Sequence, residues 1–134
     1  MDYHPVTAKI TAILTQDSAW FEAFEHDPVR TSEQAANVRH GYTLHQGAKA
    51  IDLRVKVNES NKFFVMLVMP ADMQFDKLKV KKRFNARDIR FATEAEISDL
   101  TGGIQPGGVP PFGNLFNLRV IAAPSLFQNE KIIF

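Results

Sequence analysis

Residues Phe63 to Met69 read F-F-V-M-L-V-M with no polar interruption, and this run constrains the fold more than any other stretch of the chain. Consecutive side chains of an extended segment point to opposite sides, so an unbroken apolar run needs cover on both faces. Lys62 to Asp72 is therefore read as a central strand of a layered sheet, ended by Pro70, which has no N–H to give to a ladder. A second strand precedes it. From Ala48 to Val57 the pattern alternates, with Ile51, Leu53, Val55 and Val57 on one face and Asp52, Arg54 and Lys56 on the other.

Shorter elements surround this pair. Pro5 suits the first turn of a helix in which Val6, Ile10, Ile13 and Leu14 recur on one face. Trp20 to Glu25 reads as a strand ended by His26-Asp27-Pro28. Thr31-Ser32-Glu33-Gln34 has the form of a capping box for a short helix through Arg39, stopped by Gly41. Asp76 can cap a helix to Phe84, with Val80 and Phe84 turned inward and Asn85 as its left-handed terminator. Ile89 to Ala92 is a short strand, Thr93 with Glu96 caps a helix through Leu100, and Leu118 to Ala122 and Lys131 to Phe134 read as final strands. The sum is an α/β domain with one sheet and several short helices.

A chain of 134 residues fits one domain with its own core. No apolar run approaches the ~20 residues of a membrane span, and M-D-Y-H-P lacks the basic and apolar regions of a signal peptide. The expected location is cytoplasmic, with no membrane partner. Cysteine is absent, which removes disulfides, thiol nucleophiles and thiolate metal sites. The histidines (His4, His26, His40 and His45) lack the i, i+4 spacing that helical zinc sites use, so no metal is expected.

The net charge is +1, but Lys77 to Arg90 holds seven basic residues against Asp88. That concentration is either a docking surface for a polyanion or a solvated, lysine-rich helix face. Two further features bear on chemistry. Thr101 to Gly113 reads T-G-G-I-Q-P-G-G-V-P-P-F-G, with five of the seven glycines and three of the seven prolines. Such a stretch is either a plain connector or a shaped loop whose N–H groups converge on a carbonyl oxygen or phosphate. Lys49, by parity, belongs to the apolar face of its strand, where it either snorkels past the sheet edge or enters a pocket.

The motifs together resemble the YbaK/prolyl-tRNA-synthetase-associated domain, a family of free-standing aminoacyl-tRNA deacylases and editing domains. The pieces are E-H-D-P-V-R-T-S-E-Q-A-A at Glu25 to Ala36, G-A-K-A-I at Gly47 to Ile51, M-P-A-D with F-D-K-L-K beyond it, and L-T-G-G-I-Q-P-G-G-V-P-P-F-G. The resemblance implies a central mixed, largely antiparallel sheet flanked by short helices, in a single domain over residues 1–134. It implies hydrolysis of the ester of mischarged aminoacyl-tRNA, with tRNA for proline as the expected carrier and an aminoacyl-tRNA synthetase as a further partner. The alternative is a non-catalytic tRNA- or synthetase-binding module of the same fold.

Residue by residue, the resemblance makes Lys49 the family's strand lysine, and Gly102-Gly103-Ile104-Gln105-Pro106 its G-x-x-x-P loop. The catalytic set is then Lys49, Gly102, Gly103 and Pro106, and the substrate-binding set His26, Gly107, Gly108 and Phe112. Lys79, Lys82 and Arg83 would dock tRNA. No cofactor is implied, because the ester is already activated and the attacking water is assisted by the free hydroxyl of the terminal ribose. Family members continue past the segment matching E-K-I-I-F, so a chain ending at Phe134 is expected to be a trimmed or short member.

Overall fold

The computed structural model describes residues 3–25 and 41–134. Four strands, β1 (Ala48–Asn58), β2 (Asn61–Pro70), β3 (Asp88–Phe91) and β4 (Arg119–Ala122), form one sheet in the order β3-β1-β2-β4. β1 and β2 are a long antiparallel hairpin, paired from Ala48 opposite Pro70 to Asn58 opposite Asn61. Its turn is held by Asn58, whose Oδ1 accepts from the Ser60 N–H at 3.0 Å and from its hydroxyl at 2.9 Å. β3 adds antiparallel to β1, and β4 adds parallel to β2. The sheet is mixed and largely antiparallel, as the sequence leads one to expect.

β2 is covered on both sides, which is what its apolar run demands. Val65, Leu67 and Met69 join Leu53, Val55 and Ile89 under Val80 of the helix α2 (Lys77–Phe84). Met66 and Val68 join Ala48, Leu118 and Leu126 on the opposite face, where Leu100 of the helix α3 (Glu94–Thr101) and Val109 pack. Local chemistry sets the helix limits. The Asp76 side chain accepts from the Lys79 N–H and Asn85 ends α2 with φ 50°, while Thr93 and Glu96 form a reciprocal capping box for α3. The first helix, α1 (Val6–Gln16), buries only Val6. Among the described residues no helix is long and apolar enough to cross a membrane.

Several expectations need correction. Trp20 to Glu25 is not a strand. Its side chains find other partners: Lys131 Nζ lies 4.5 Å from the Trp20 ring centroid, Phe24 packs on Tyr42, and the Tyr3 hydroxyl donates to the Glu25 carboxylate. Lys131 to Phe134 contributes one parallel bridge, Ile133 to Gly47, and not a strand. In a parallel pair the residues before Ile133 would have to lie beside Leu44–Gln46, and these are coiled in a 3₁₀ turn capped by Thr43. The face of β1 that carries Asp52, Arg54 and Lys56 is covered in its first half, where Leu100 of α3 and Val109 pack, and Asp52 is 5% exposed. β3 runs from Asp88 to Phe91, one residue earlier than expected. The expected helix from Thr31 through Arg39, and His26, lie outside the described residues.

Candidate active site

β3 pairs only with Leu53 to Lys56 of β1. The preceding residues of β1 thus have no strand on that side, and here the molecule opens into a cavity of about 770 Å³. One wall is α1, through Ile10 and Leu14, continued by the segment Trp20 to Phe24. Gly47 to Ala50 form the floor, and the glycine- and proline-rich loop closes the far side through Gln105 to Pro110 and Phe112. Residues from both ends of the chain therefore meet at the start of β1.

Lys49 lines this cavity, half-buried, across the hairpin from Met69. Its Nζ donates to the carbonyl oxygen of Met73 at 2.5 Å. A lysine ammonium has three donors, so this bond fixes the head group and leaves two N–H bonds for a ligand.

The loop has two parts with different duties. The first terminates α3. Gly102 has φ +73° and Gly103 φ +96°, and the Gly103 N–H donates back to the Ser98 carbonyl at 2.9 Å, a helix ending that L side chains resist. The Thr101 hydroxyl, buried, donates to the Ile97 carbonyl at 2.7 Å and accepts from the Ile104 N–H at 3.1 Å. The Gly102 carbonyl lies 3.0 Å from His4 Nε2, and His4 Nδ1 accepts from the Val6 N–H at 3.1 Å, so the ring ties the start of α1 to the end of α3. Gly102 lines a separate cavity of about 230 Å³ with His4 and Lys9.

The second part faces the large cavity. Gln105-Pro106-Gly107-Gly108 is a turn closed by the Gly108 N–H on the Gln105 carbonyl at 3.0 Å, with Gly107 at φ +82°. Proline second and a left-handed glycine third is the type II pattern. Among the described residues the N–H groups of Gly107 and Val109 have no protein acceptor. The Phe112 N–H bends back to the Pro110 carbonyl at 2.8 Å, and the ring meets Phe134 edge to face at 5.2 Å. Gly113 follows where a Cβ would lie 2.5 Å from Val120 Cγ2.

The structure therefore gathers Lys49, Pro106, Gly107, Gly108 and Phe112 around one cavity. Gly102 and Gly103 do not line it, and His26 is outside the described residues. Lys79, Lys82 and Arg83 are exposed on α2, with Arg83 5.9 Å from the Phe84 ring centroid. Of the basic cluster, Lys77 reaches Asp88 at 3.7 Å, and Arg90 grips Glu96 through two bonds of 2.7 and 3.1 Å. The Arg90 guanidinium, with help from the Thr93 N–H, holds the Glu96 carboxyl down to about 2. Among the described residues Lys79, Lys82 and Arg83 have no carboxylate within 4.0 Å, so their charge is unneutralised.

Sequence reasoning missed two features. Asp52, read with Arg54 and Lys56 on the second face of β1, is buried, and neither of its carboxylate oxygens has a partner among the described residues. The available signal was its face-mates Ala48 and Ala50, small residues that let another layer approach. The aromatic residues Trp20, Phe21 and Phe24 were assigned to a strand, but they border the cavity.

Comparisons with known proteins show the family and the fold. The aminoacyl-tRNA editing domain family matches residues 26–134. The multifunctional Ser/Thr-tRNA deacylase ProXp-y of Escherichia coli K12 is 33% identical over 127 residues, covering 94% of this chain and 74% of that protein. The proline–tRNA ligase of Ralstonia pickettii 12J is 30% identical over 97 residues, 72% of this chain but only 17% of the ligase. Among solved structures, the hypothetical protein APE2540 superposes with a TM-score of 0.76 over 92% of this chain and 79% of that one, at 21% identity, a likeness of fold. A family match over the whole sheet and loop, together with a deacylase relative along nearly the full length, leads to one assignment: the chain belongs to the aminoacyl-tRNA editing domain family, a family of aminoacyl-tRNA deacylases.

Proposed function

We propose that residues 1–134 act as a single trans-editing domain that hydrolyses the ester of mischarged aminoacyl-tRNA in the cytoplasm. The observation that carries this reading is the shared cavity, lined both by Lys49, whose Nζ is held by the Met73 carbonyl, and by a turn in which the Gly107 and Val109 N–H groups have no acceptor among the described residues. An aminoacyl ester is already activated, so hydrolysis needs a held substrate, a water and stabilisation of the oxyanion more than a strong nucleophile. Lys49 anchors the ester or the terminal ribose as a cation. Gly107 and Val109 present their N–H groups to the carbonyl oxygen, and Pro106 with Gly108 fixes the turn that aims them. Gly102 and Gly103 contribute by setting the direction in which the chain leaves α3, and Phe112 walls the aminoacyl side. The water oxygen bonds to the ester carbonyl carbon while its proton passes to the free hydroxyl of the terminal ribose, which hands its own proton to the esterified ribose oxygen as that C–O bond breaks, leaving a free amino acid and an intact ribose diol.

The likeness to a Ser/Thr-tRNA deacylase supports small, hydroxylated aminoacyl groups as substrates, and the likeness to a proline–tRNA ligase supports tRNA for proline as the carrier. A second sieve of this kind is useful because a synthetase pocket distinguishes side chains by only about 1–3 kcal/mol per methylene. The test is deacylation of seryl-, threonyl- and alanyl-tRNA for proline by the parent and by Lys49→Ala. We expect turnover by the parent and a fall of about 100-fold or more in the variant, with an unchanged unfolding curve. A Lys49→Ala protein that folds and turns over at the parent rate removes the lysine from the site. A parent that binds tRNA without cleaving any ester would leave the non-catalytic binding module in its place.

A further inference from the structure

We propose that the segment Trp20 to Phe24 is a stacking platform for the unpaired 3′ bases of tRNA, leading the strand along the rim of the cavity to the ester. The inference rests on the deacylase reading and adds the subsite that holds the nucleotides preceding the aminoacylated one.

The segment has an unusual combination of properties. It has no regular secondary structure and no ladder partner among the described residues, and it exposes large rings: Trp20 is 62% exposed and Phe24 48%. Exposed aromatics of this size are normally removed to the interior, and a contiguous set on a cavity rim marks a binding surface. The segment is nevertheless tied in place. Tyr3 holds Glu25 through its hydroxyl, Tyr42 packs on Phe24 with 6.2 Å between ring centroids, and Lys131 lies 4.5 Å from the Trp20 ring centroid. Ordering these rings before binding lowers the entropy lost when a base stacks on them.

The chemistry of the rim selects the occupant. Lys49 and Lys131 are offset by Glu22 and Glu130, which also line the cavity. This wall is close to neutral, so it does not suit a run of bare phosphates. Flat rings backed by a cation suit nucleobases, which every aromatic face accepts with little regard to sequence. Size argues the same way. A cavity of about 770 Å³ is in the range that encloses a drug-sized ligand, about 300–1,000 Å³, and a seryl or threonyl group fills only a corner of that. The nucleotide bearing the ester is covalently attached to the next one, so the strand must leave the cavity over some part of its rim.

Trp20 is the only tryptophan in the chain, so its emission reports on this subsite alone. The experiment titrates the protein with an uncharged tRNA transcript and with the same transcript lacking its last three unpaired nucleotides, following emission and, separately, filter binding. The complete RNA should quench the emission, whereas the shortened RNA should bind with little change in it. Trp20→Ala should weaken binding of the complete RNA by about 5- to 150-fold, leave binding of the shortened RNA unchanged, and be rescued by Trp20→Phe. Equal quenching by both RNAs, or equal weakening of both by Trp20→Ala, overturns the platform. So does emission that depends on protein concentration without RNA, which would mean that a second copy covers the rings. If tRNA is deacylated and no quenching occurs, the stacking inference fails alone; if neither RNA binds, the deacylase reading fails with it.

Discussion

Asp52 is the residue whose environment conflicts most with its chemistry. Its carboxylate sits on the sheet face covered by α3, and among the described residues neither oxygen accepts a hydrogen bond. The cations sharing that face pair with other carboxylates, Arg54 with Asp88 at 3.6 Å, Lys56 with Glu59 at 2.6 Å and Arg90 with Glu96 at 2.7 Å. Burial therefore pushes the carboxyl up from 3.8 to about 6. The folded state then binds this proton more tightly than the unfolded chain does. The favourable contribution is complete below pH 4 and is lost as pH rises through about 6, in total about 3 kcal/mol. Glu96 has the opposite sign, since its depressed value stabilises the fold above about pH 4.5 and that support disappears toward about pH 2. Comparing Asp52→Asn with the parent isolates the first effect. The variant should gain about 1–3 kcal/mol relative to the parent at pH 8 and much less at pH 4.5, read from urea unfolding at both pH values. A difference independent of pH would mean that Asp52 is already neutral, or already paired, across the range.

At the scale of elements, the Gly/Pro loop separates into a helix terminator and a donor turn, and substitutions can tell them apart. Gly102 and Gly107 both have positive φ, +73° and +82°, so alanine at either should cost about 1–2 kcal/mol of stability. Only Gly107→Ala should slow single-turnover deacylation, by about 100- to 1000-fold. An L residue third in a type II turn favours rotation of the Pro106–Gly107 peptide, which swings the Gly107 N–H away from the cavity. Equal loss of rate in both variants would show that the loop acts as one unit. This division was only half legible in the sequence. Caps and strands were readable because their determinants are local: Asp76, Asn85, Thr93 and Glu96 act within one turn, β1 alternates with a two-residue period, and β2 is an unbroken apolar run ended by Pro70. The arrest of Lys131 to Phe134 after one bridge was not, since it depends on a 3₁₀ turn far away in sequence. Trp20 to Glu25 is rich in the aromatic residues that strands favour, but whether such a segment finds a ladder partner is a fact of tertiary structure. For the site, Lys49 stood out as a cation on an apolar face, whereas the N–H groups that remain free in the loop depend on turn geometry no composition reveals.

In the whole molecule, the sheet separates docking from chemistry. α2 lies over the face built on Leu53, Val55 and Ile89 and turns Lys79 and Lys82 outward, while the loop packs against the other face and reaches the cavity at the start of β1. None of the exposed basic residues of α2 lines that cavity. Their charge should act on the phosphate backbone at long range and make association depend on salt, whereas the cavity, lined by two lysines and two glutamates, should be nearly indifferent to it. For the parent, raising salt should therefore lower kcat/KM steeply and leave the single-turnover rate at saturating tRNA almost unchanged. Replacing Lys79 and Lys82 together by alanine should raise KM, reduce the slope of log(kcat/KM) against log salt by about 1–2, and preserve the saturating rate. A fall in that saturating rate with KM unaltered would place α2 within the chemical step, and the sheet would then connect the two functions it appears from its layers to hold apart.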